Sequence, residues 1–153
     1  MDQRLRPTRT PLGGTRLSDA ASWIGHSMLV ESDIATPLRD GTYAGEFSLP
    51  EGADSVTISF QHANGAVVHT ETMGAQQAGN VAVAWDGKNE AGEYIAGGPL
   101  RMIVTATKDG QTSNAATATW TSIGGIQSPA NGGVPRLVTG LGLLSPEAAL
   151  RLA

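Results

Sequence analysis

A chain of 153 residues, 40% apolar and 16% charged, holds one ordinary domain or a compact domain with a small satellite. Its formal charge of −4 argues against nucleic-acid binding, which needs clustered Lys and Arg, and the absence of cysteine excludes disulfides, thiolate nucleophiles and Cys-ligated zinc. No apolar run approaches the roughly 20 residues that a membrane-spanning helix requires, and the 20 glycines point to short elements joined by many turns.

The first stretch reads as irregular, because Pro7, Pro11 and Gly13-Gly14 defeat both helix and strand. With Arg4, Arg6, Arg9 and Arg16 among Pro, Thr and Gly, residues 1–19 are expected to form a solvated, disordered arm rather than a phosphate site. They lack the apolar core of a secretory signal, so export would need another route. Ser18-Asp19 can cap a short helical turn into Trp23. "IGHSMLVESD" (24–33) then predicts one short strand with Met28 to Val30 as its apolar part, and "TPLRDG" (36–41) marks a turn and a boundary.

A regular rhythm follows. "TYAGEFSLP" alternates through Phe47 and Leu49 to Pro50, and "DSVTISF" sets Val56, Ile58 and Phe60 on one face with Ser55, Thr57 and Ser59 on the other. Asn64-Gly65 supplies a hairpin turn into "AVVHTET" (66–72), and a loop over 74–80 leads to "VAVAW" (81–85). Val81, Val83 and Trp85 share a strand face, so the indole is expected to cap a core at the strand's end, while Asp86-Gly87 breaks the ladder. "PLRMIVTAT" (99–107), a turn at Asp109-Gly110 and one strand over "TSNAATATWTS" (112–122) complete six or seven strands. That spacing predicts an all-β fold with an immunoglobulin- or fibronectin type III-like sandwich.

The tail carries a short strand near Ile123 to Gln127, a turn at Asn131-Gly132-Gly133, and strands at 135–139 and 141–144. A helical or extended end follows Ser145-Pro146. About 30 residues cannot bury enough surface alone. Pairing with the strand at 24–31 would close a small barrel into which the sandwich is inserted. The expected division is thus a discontinuous barrel of residues 20–38 plus 122–153 and a sandwich of 39–121.

The chemical motifs weigh against catalysis. Asp86, Asn89, Glu90 and Glu93 suggest a calcium loop, but Lys88 and Ala91 stand at the positions where an EF-hand needs a ligand and a glycine. His26, His62 and His69 are the only imidazoles. A two-residue turn at Asn64-Gly65 would set His62 and His69 diagonally on one face, whereas a four-residue loop would not; without a carboxylate or Cys they make a poor zinc site. No G-x-S-x-G elbow and no phosphate-binding glycine loop occurs, and nothing favours any pair of carboxylates for acid–base work.

Together "AASWIGHSMLVESD", "GEFSLP", "VTISF…NGAVVHT", "AWDGKNEAGEYIAGG" and "GGVPRLVTGLGLLSPEAALRL" resemble the flagellar hook-capping, or hook assembly scaffolding, protein family (FlgD), over about residues 20–153. The resemblance implies an Ig/fibronectin type III-like sandwich inserted into a small Tudor-like barrel. It implies an oligomeric cap at the distal tip of the growing flagellar hook, under which hook protein subunits are added, with no enzymatic activity, no cofactor, and export through the flagellar type III channel. Pro99-Leu100 stands where the family usually has an aromatic residue, and residues 1–19 do not resemble the family's long polar N-terminal region. The exposed loop residues His62, Asn64, Lys88, Asn89, Glu90 and Glu93 are the candidate partner contacts, on loop location alone. The alternative is a cell-surface Ig-like binding or adhesion module, which exposed, planar tryptophans would favour over buried ones.

Overall fold

The computed structural model describes residues 21–128 and 135–153; the expected arm over 1–19, the Ser18-Asp19 cap and the turn at Asn131-Gly132-Gly133 lie outside them. In chain order the strands are β1 (Ser27–Glu31), β2 (Ile34–Ala35), β3 (Tyr43–Leu49), β4 (Ser55–Gln61), β5 (Val67–Met73) and β6 (Gly79–Trp85). They continue as β7 (Leu100–Lys108), β8 (Gln111–Asn114), β9 (Ala116–Gln127), β10 (Arg136–Thr139), β11 (Gly142–Leu144) and β12 (Arg151–Leu152). A 3-10 turn, Pro146–Ala148, precedes β12 and is capped by Ser145, whose side chain accepts from the Glu147 amide.

Two sheets face each other in the sandwich. One runs β6-β3-β9 and the other β5-β4-β7, with β2 and β8 both on the far side of β7. The alternation that marks β3 and β4 as strands also decides what they bury. Tyr43, Phe47 and Leu49 point inward from β3, and Val56, Ile58 and Phe60 from β4, meeting Met102, Val104 and Trp85 in one apolar cluster. Leu100 fills its core position, 1% exposed, without the aromatic that the family resemblance leads one to expect there.

The barrel is built from both flanks of the sandwich. β1 pairs with β12 through Met28↔Leu152 and Leu29↔Arg151, and with β9 from Ser27↔Ser122 to Glu31↔Ala118. β10 and β11 extend the same curled sheet, and Met28, Val30, Ile123, Leu137 and Ala149 form a second cluster with Trp23 packed against it. The pairing expected between the early strand and the tail is therefore present.

Two expected boundaries are corrected. The single strand over 112–122 is two: β8 returns along β7, the Ala115 amide donates to the Val104 carbonyl at 2.9 Å, and the chain then crosses to the other sheet as β9. The separate strand at Ile123 to Gln127 is the continuation of β9, where Gly124 is passed over as a bulge and β10 pairs on either side of it. On one side of β9 the partner changes from β3 to β10, while β1 covers the other side. One strand thus belongs to both cores.

Alternate threonines of β9 fasten the segment that crosses between the sheets. Thr117 Oγ1 donates to the Ser32 carbonyl at 2.9 Å, Thr119 Oγ1 to the Ile34 carbonyl at 2.7 Å, and Thr121 shares a hydrogen bond with Thr36 at 3.0 Å. Gly140 closes over that last pair, since a Cβ there would stand 2.6 Å from Thr36 Oγ1. Arg151 of β12 also forms an ion pair with Glu46 of β3, joining the barrel's last strand to the sandwich.

Candidate functional site

Among the described residues, a groove of about 770 Å³ lies where β5 faces the end of β6. Its lining comprises residues 68–71 of β5, 84–86 at the end of β6, 88–90 of the following loop, and Thr42 and Ile95. The His69 ring lies flat against the Trp85 indole, with centroids 4.5 Å apart and planes 4° from parallel. His69 Nε2 meets Glu71 Oε2 at 2.9 Å, and the indole, 5% exposed, also contacts Phe60 and Tyr43. The tryptophan is thus a core residue whose outer face is covered by an imidazole.

The loop from Asp86 to Gly98 is held by its own polar groups. Trp85 Nε1 donates to the Lys88 carbonyl at 3.1 Å, and Asp86 Oδ1 accepts from the Lys88 amide at 3.0 Å. Asn89 Oδ1 accepts from the amides of Ala91 and Glu93, while Asn89 Nδ2 donates to Glu93 Oε1 at 3.0 Å. These are Asx-type turns, in which a short side chain replaces a backbone partner. Asp86 therefore shapes the chain, as its place in the sequence suggested.

Two tyrosines anchor the loop, one to β3 and one to the turn before it. Tyr43 Oη donates to the Gly98 carbonyl at 2.6 Å; burial, and secondarily Tyr94 nearby, holds its phenol above the ordinary tyrosine range. Tyr94 lies over Gly41 and Gly87, with its hydroxyl 3.3 Å from the Gly41 carbonyl, and its ring remains half exposed beside Ile95. A Cβ on Gly87 would collide with that ring. Asp40, in the turn before β3, accepts from the Thr42 amide at 2.9 Å, which lowers its pKa.

Of the six candidate contact residues, Lys88, Asn89 and Glu90 line the groove, and Glu93 is tied to Asn89 beside it. His62 and Asn64 stand apart, in the β4–β5 turn. There His62 N donates to the Ala66 carbonyl and Gly65 N to the His62 carbonyl, both at 2.9 Å, and Asn64 Oδ1 accepts from the Ala66 amide. This is a three-residue loop, between the two lengths entertained from the sequence, and a bulge at Phe60/Gln61 places His69 opposite Phe60. His69 thereby turns to Trp85 and Glu71. Among the described residues no cluster of three or more His, Asp or Glu is arranged to hold a metal.

His69, Glu71, Trp85 and Ile95 were not among the expected contacts. The sequence marks His69 as notable, but only the pairing of sheets brings it to Trp85. Trp23 and Trp120 are half buried, and every aromatic contact among the described residues belongs to the Tyr43, Phe60, His69 and Trp85 group, so no exposed tryptophan pair offers a sugar-binding platform.

Comparison with known proteins gives one consistent result. A family model described as the FlgD Ig-like domain matches residues 32–110, just over half of the chain. The basal-body rod modification proteins FlgD of Salmonella typhimurium and Salmonella typhi are each 28% identical to it over 130 residues, covering 78% of this chain and 55% of theirs. The chain spans about half the length of these curated relatives. The crystal structure of FlgD from Xanthomonas campestris, described in terms of the hook capping essential for flagellar assembly, superimposes with a TM-score of 0.73 at 27% identity, over 88% of this chain and 96% of that one. FlgD from P. aeruginosa shares the fold, with a TM-score of 0.70 at 23% identity over 86% of this chain and 98% of that one.

Proposed function

The chain belongs to the FlgD Ig-like domain family, and we propose that it serves as a structural scaffold in assembly of the bacterial flagellar hook, promoting addition of hook protein subunits. The observation that carries this reading is the likeness to the Xanthomonas hook-capping protein across both the sandwich and the barrel, rather than the sandwich alone. It acts as part of an oligomeric cap at the distal tip of the hook, reached through the flagellar export channel, and catalyses no reaction. Among the described residues, β1 and β10 to β12 form its barrel and β2 to β8 its sandwich, with β9 shared by both.

A scaffold must offer a shaped, stable surface rather than a reactive one. The polar groups of residues 86–98 are largely spent on holding that loop, which presents Tyr94, Ile95, Lys88 and Glu90 on a fixed frame. Tyrosine is enriched among the few residues that carry most of the binding energy at protein interfaces. We assign the hook-protein contact to this loop, with His62 and Asn64 as outlying members.

The test replaces Lys88, Asn89, Glu90 and Glu93 together by alanine, and His62 and Asn64 separately, in the protein that carries this chain. Binding to purified hook protein and hook length in the parent bacterium are the readouts. The loop variant is expected to weaken binding about ten-fold or more with the fold intact by circular dichroism; unchanged binding and normal hooks in both variants overturn the assignment.

A further inference from the structure

The groove beside Trp85 is lined in a way that a cavity on the face of a sheet cannot be. Successive residues of a strand point to opposite faces, so a face presents every second residue. Here residues 68, 69, 70 and 71 of β5 all contribute, as do 84, 85 and 86 at the end of β6. Consecutive lining means that the groove runs along the strands' backbone edges. Among the described residues β5 pairs only with β4, and β6 only with β3, so each keeps one side without a ladder from them.

Those edges are only lightly protected, β5 by the bulge at Phe60/Gln61 and by Glu71 opposite Ile58. Neither Val67–Met73 nor Gly79–Trp85 contains Pro, Lys or Arg, and both exceed the length of a blunted edge. The opposite side of the second sheet is treated differently, since β2 and β8 both cover β7 there. An open edge whose backbone groups face a groove is a template for one more strand.

We propose that the outer edge of β5 receives an extended segment of a partner protein as an added strand, lying over the stacked His69 and Trp85 rings. The occupant is chosen by charge. The groove sets Glu71, Asp86 and Glu90 against Lys88 and the His69 ring that meets Glu71, so a segment carrying Lys or Arg is favoured, whereas a second copy would bring the same carboxylates against each other. At about 3.3 Å per residue, the four lining residues of β5 match a paired stretch of about the same length. This deepens the scaffold reading and rests on it: the added strand is how the loop end would grip the subunit it presents.

The experiment titrates the isotope-labelled protein with a short synthetic peptide of alternating Val and Thr closed by Lys at both ends. Its controls are the same peptide closed by Glu, and two forms N-methylated at alternate amides in opposite phase. Amide exchange and chemical shifts are read at residues 67–73. Expected are protection of amides within 68–71, affinity about ten-fold lower for the Glu-closed peptide, and loss of binding for one N-methyl phase only, because a strand pairs through alternate amides. No binding, equal binding by all four peptides, or shifts confined to other surfaces overturns the proposal. So does protection that rises with protein concentration without peptide, which would make the edge a self-contact.

Thr70→Pro and Glu71→Pro give a second arm. Proline is tolerated only where the lost N–H faces away from the sheet, so the variant that keeps its melting temperature is expected to lose peptide binding, and its retention overturns the proposal. If both variants unfold, the N-methyl phases decide. A negative peptide result, with hook-protein binding still lost in the Lys88–Glu93 loop variant, removes the added strand and leaves the scaffold reading in place.

Discussion

Thr36 and Thr121 place their hydroxyls 3.0 Å apart, both buried, where the sandwich core gives way to the barrel core. Thr121 stands on the strand common to both cores, and Thr36 on the segment that leaves the barrel for the sandwich. Polar groups shut away from water cost little when paired and much when orphaned.

Thr121→Val removes one partner and leaves the Thr36 hydroxyl buried and unsatisfied. A loss of about 1–3 kcal/mol is expected in urea denaturation. Thr36→Val with Thr121→Val should recover most of it, because no orphan remains, and a double-mutant cycle measures the coupling.

Gly140→Ala tests the close approach above this pair. The added methyl would press against Thr36 Oγ1 and Cβ, at 2.6 and 2.9 Å, and neither hydroxyl can move without breaking its bond. Destabilisation of about 1–3 kcal/mol is expected, seen as a lower melting temperature. Gly124→Ala, where no atom lies nearer than 4.0 Å, should cost far less and serves as the control.

Asn89→Ala should loosen the loop that carries the candidate contact. It removes two accepted hydrogen bonds and one donated to Glu93. Amide exchange at Ala91 and Glu93 should accelerate about ten-fold or more while global stability falls by only about 1 kcal/mol. Asp86→Ala, which loses a single bond to the Lys88 amide, should show a smaller and more local effect.

Alkaline pH should weaken the fold through Tyr43. Its phenol titrates higher in the folded chain than the ordinary value of 10.0, first because it is buried and then because of Tyr94. The stabilisation is therefore complete below pH 10 and declines above it, as the unfolded chain ionises first, with a slope approaching about 1.4 kcal/mol per pH unit. Urea denaturation from pH 8 upward checks this. Tyr43→Phe should flatten the alkaline slope while lowering stability at neutral pH, because the bond to the Gly98 carbonyl is lost.

Asp109 shows where local reading succeeds. It is the only non-glycine residue with positive φ among those described, at 52°, followed by Gly110 at 79°, and Asp-Gly is the dipeptide that such a hairpin turn demands. The inward sets Val56, Ile58, Phe60 and Val83, Trp85 follow from period-two alternation in the same way. Backbone angles and face choice depend on neighbours within a few residues, so the sequence alone determined most of the longer strands, their buried sides, several turns and the all-β class, but not β2, β12 or the division between β8 and β9.

Position in the sheets was decided elsewhere. Gln111–Asn114 and Ala116–Gln127 follow one another almost without a break, yet the chain changes sheets between them, because β8 is set by its local hairpin with β7 whereas the pairing of β9 with β3 depends on a strand far away in sequence. The same holds for the contact loop: Lys88 to Glu93 were visible as a loop, but His69 reaches Trp85 only after β5 and β6 have taken their places in opposite sheets. Which edge stays open is a property of the finished assembly of strands, since an edge is defined by the neighbour it lacks.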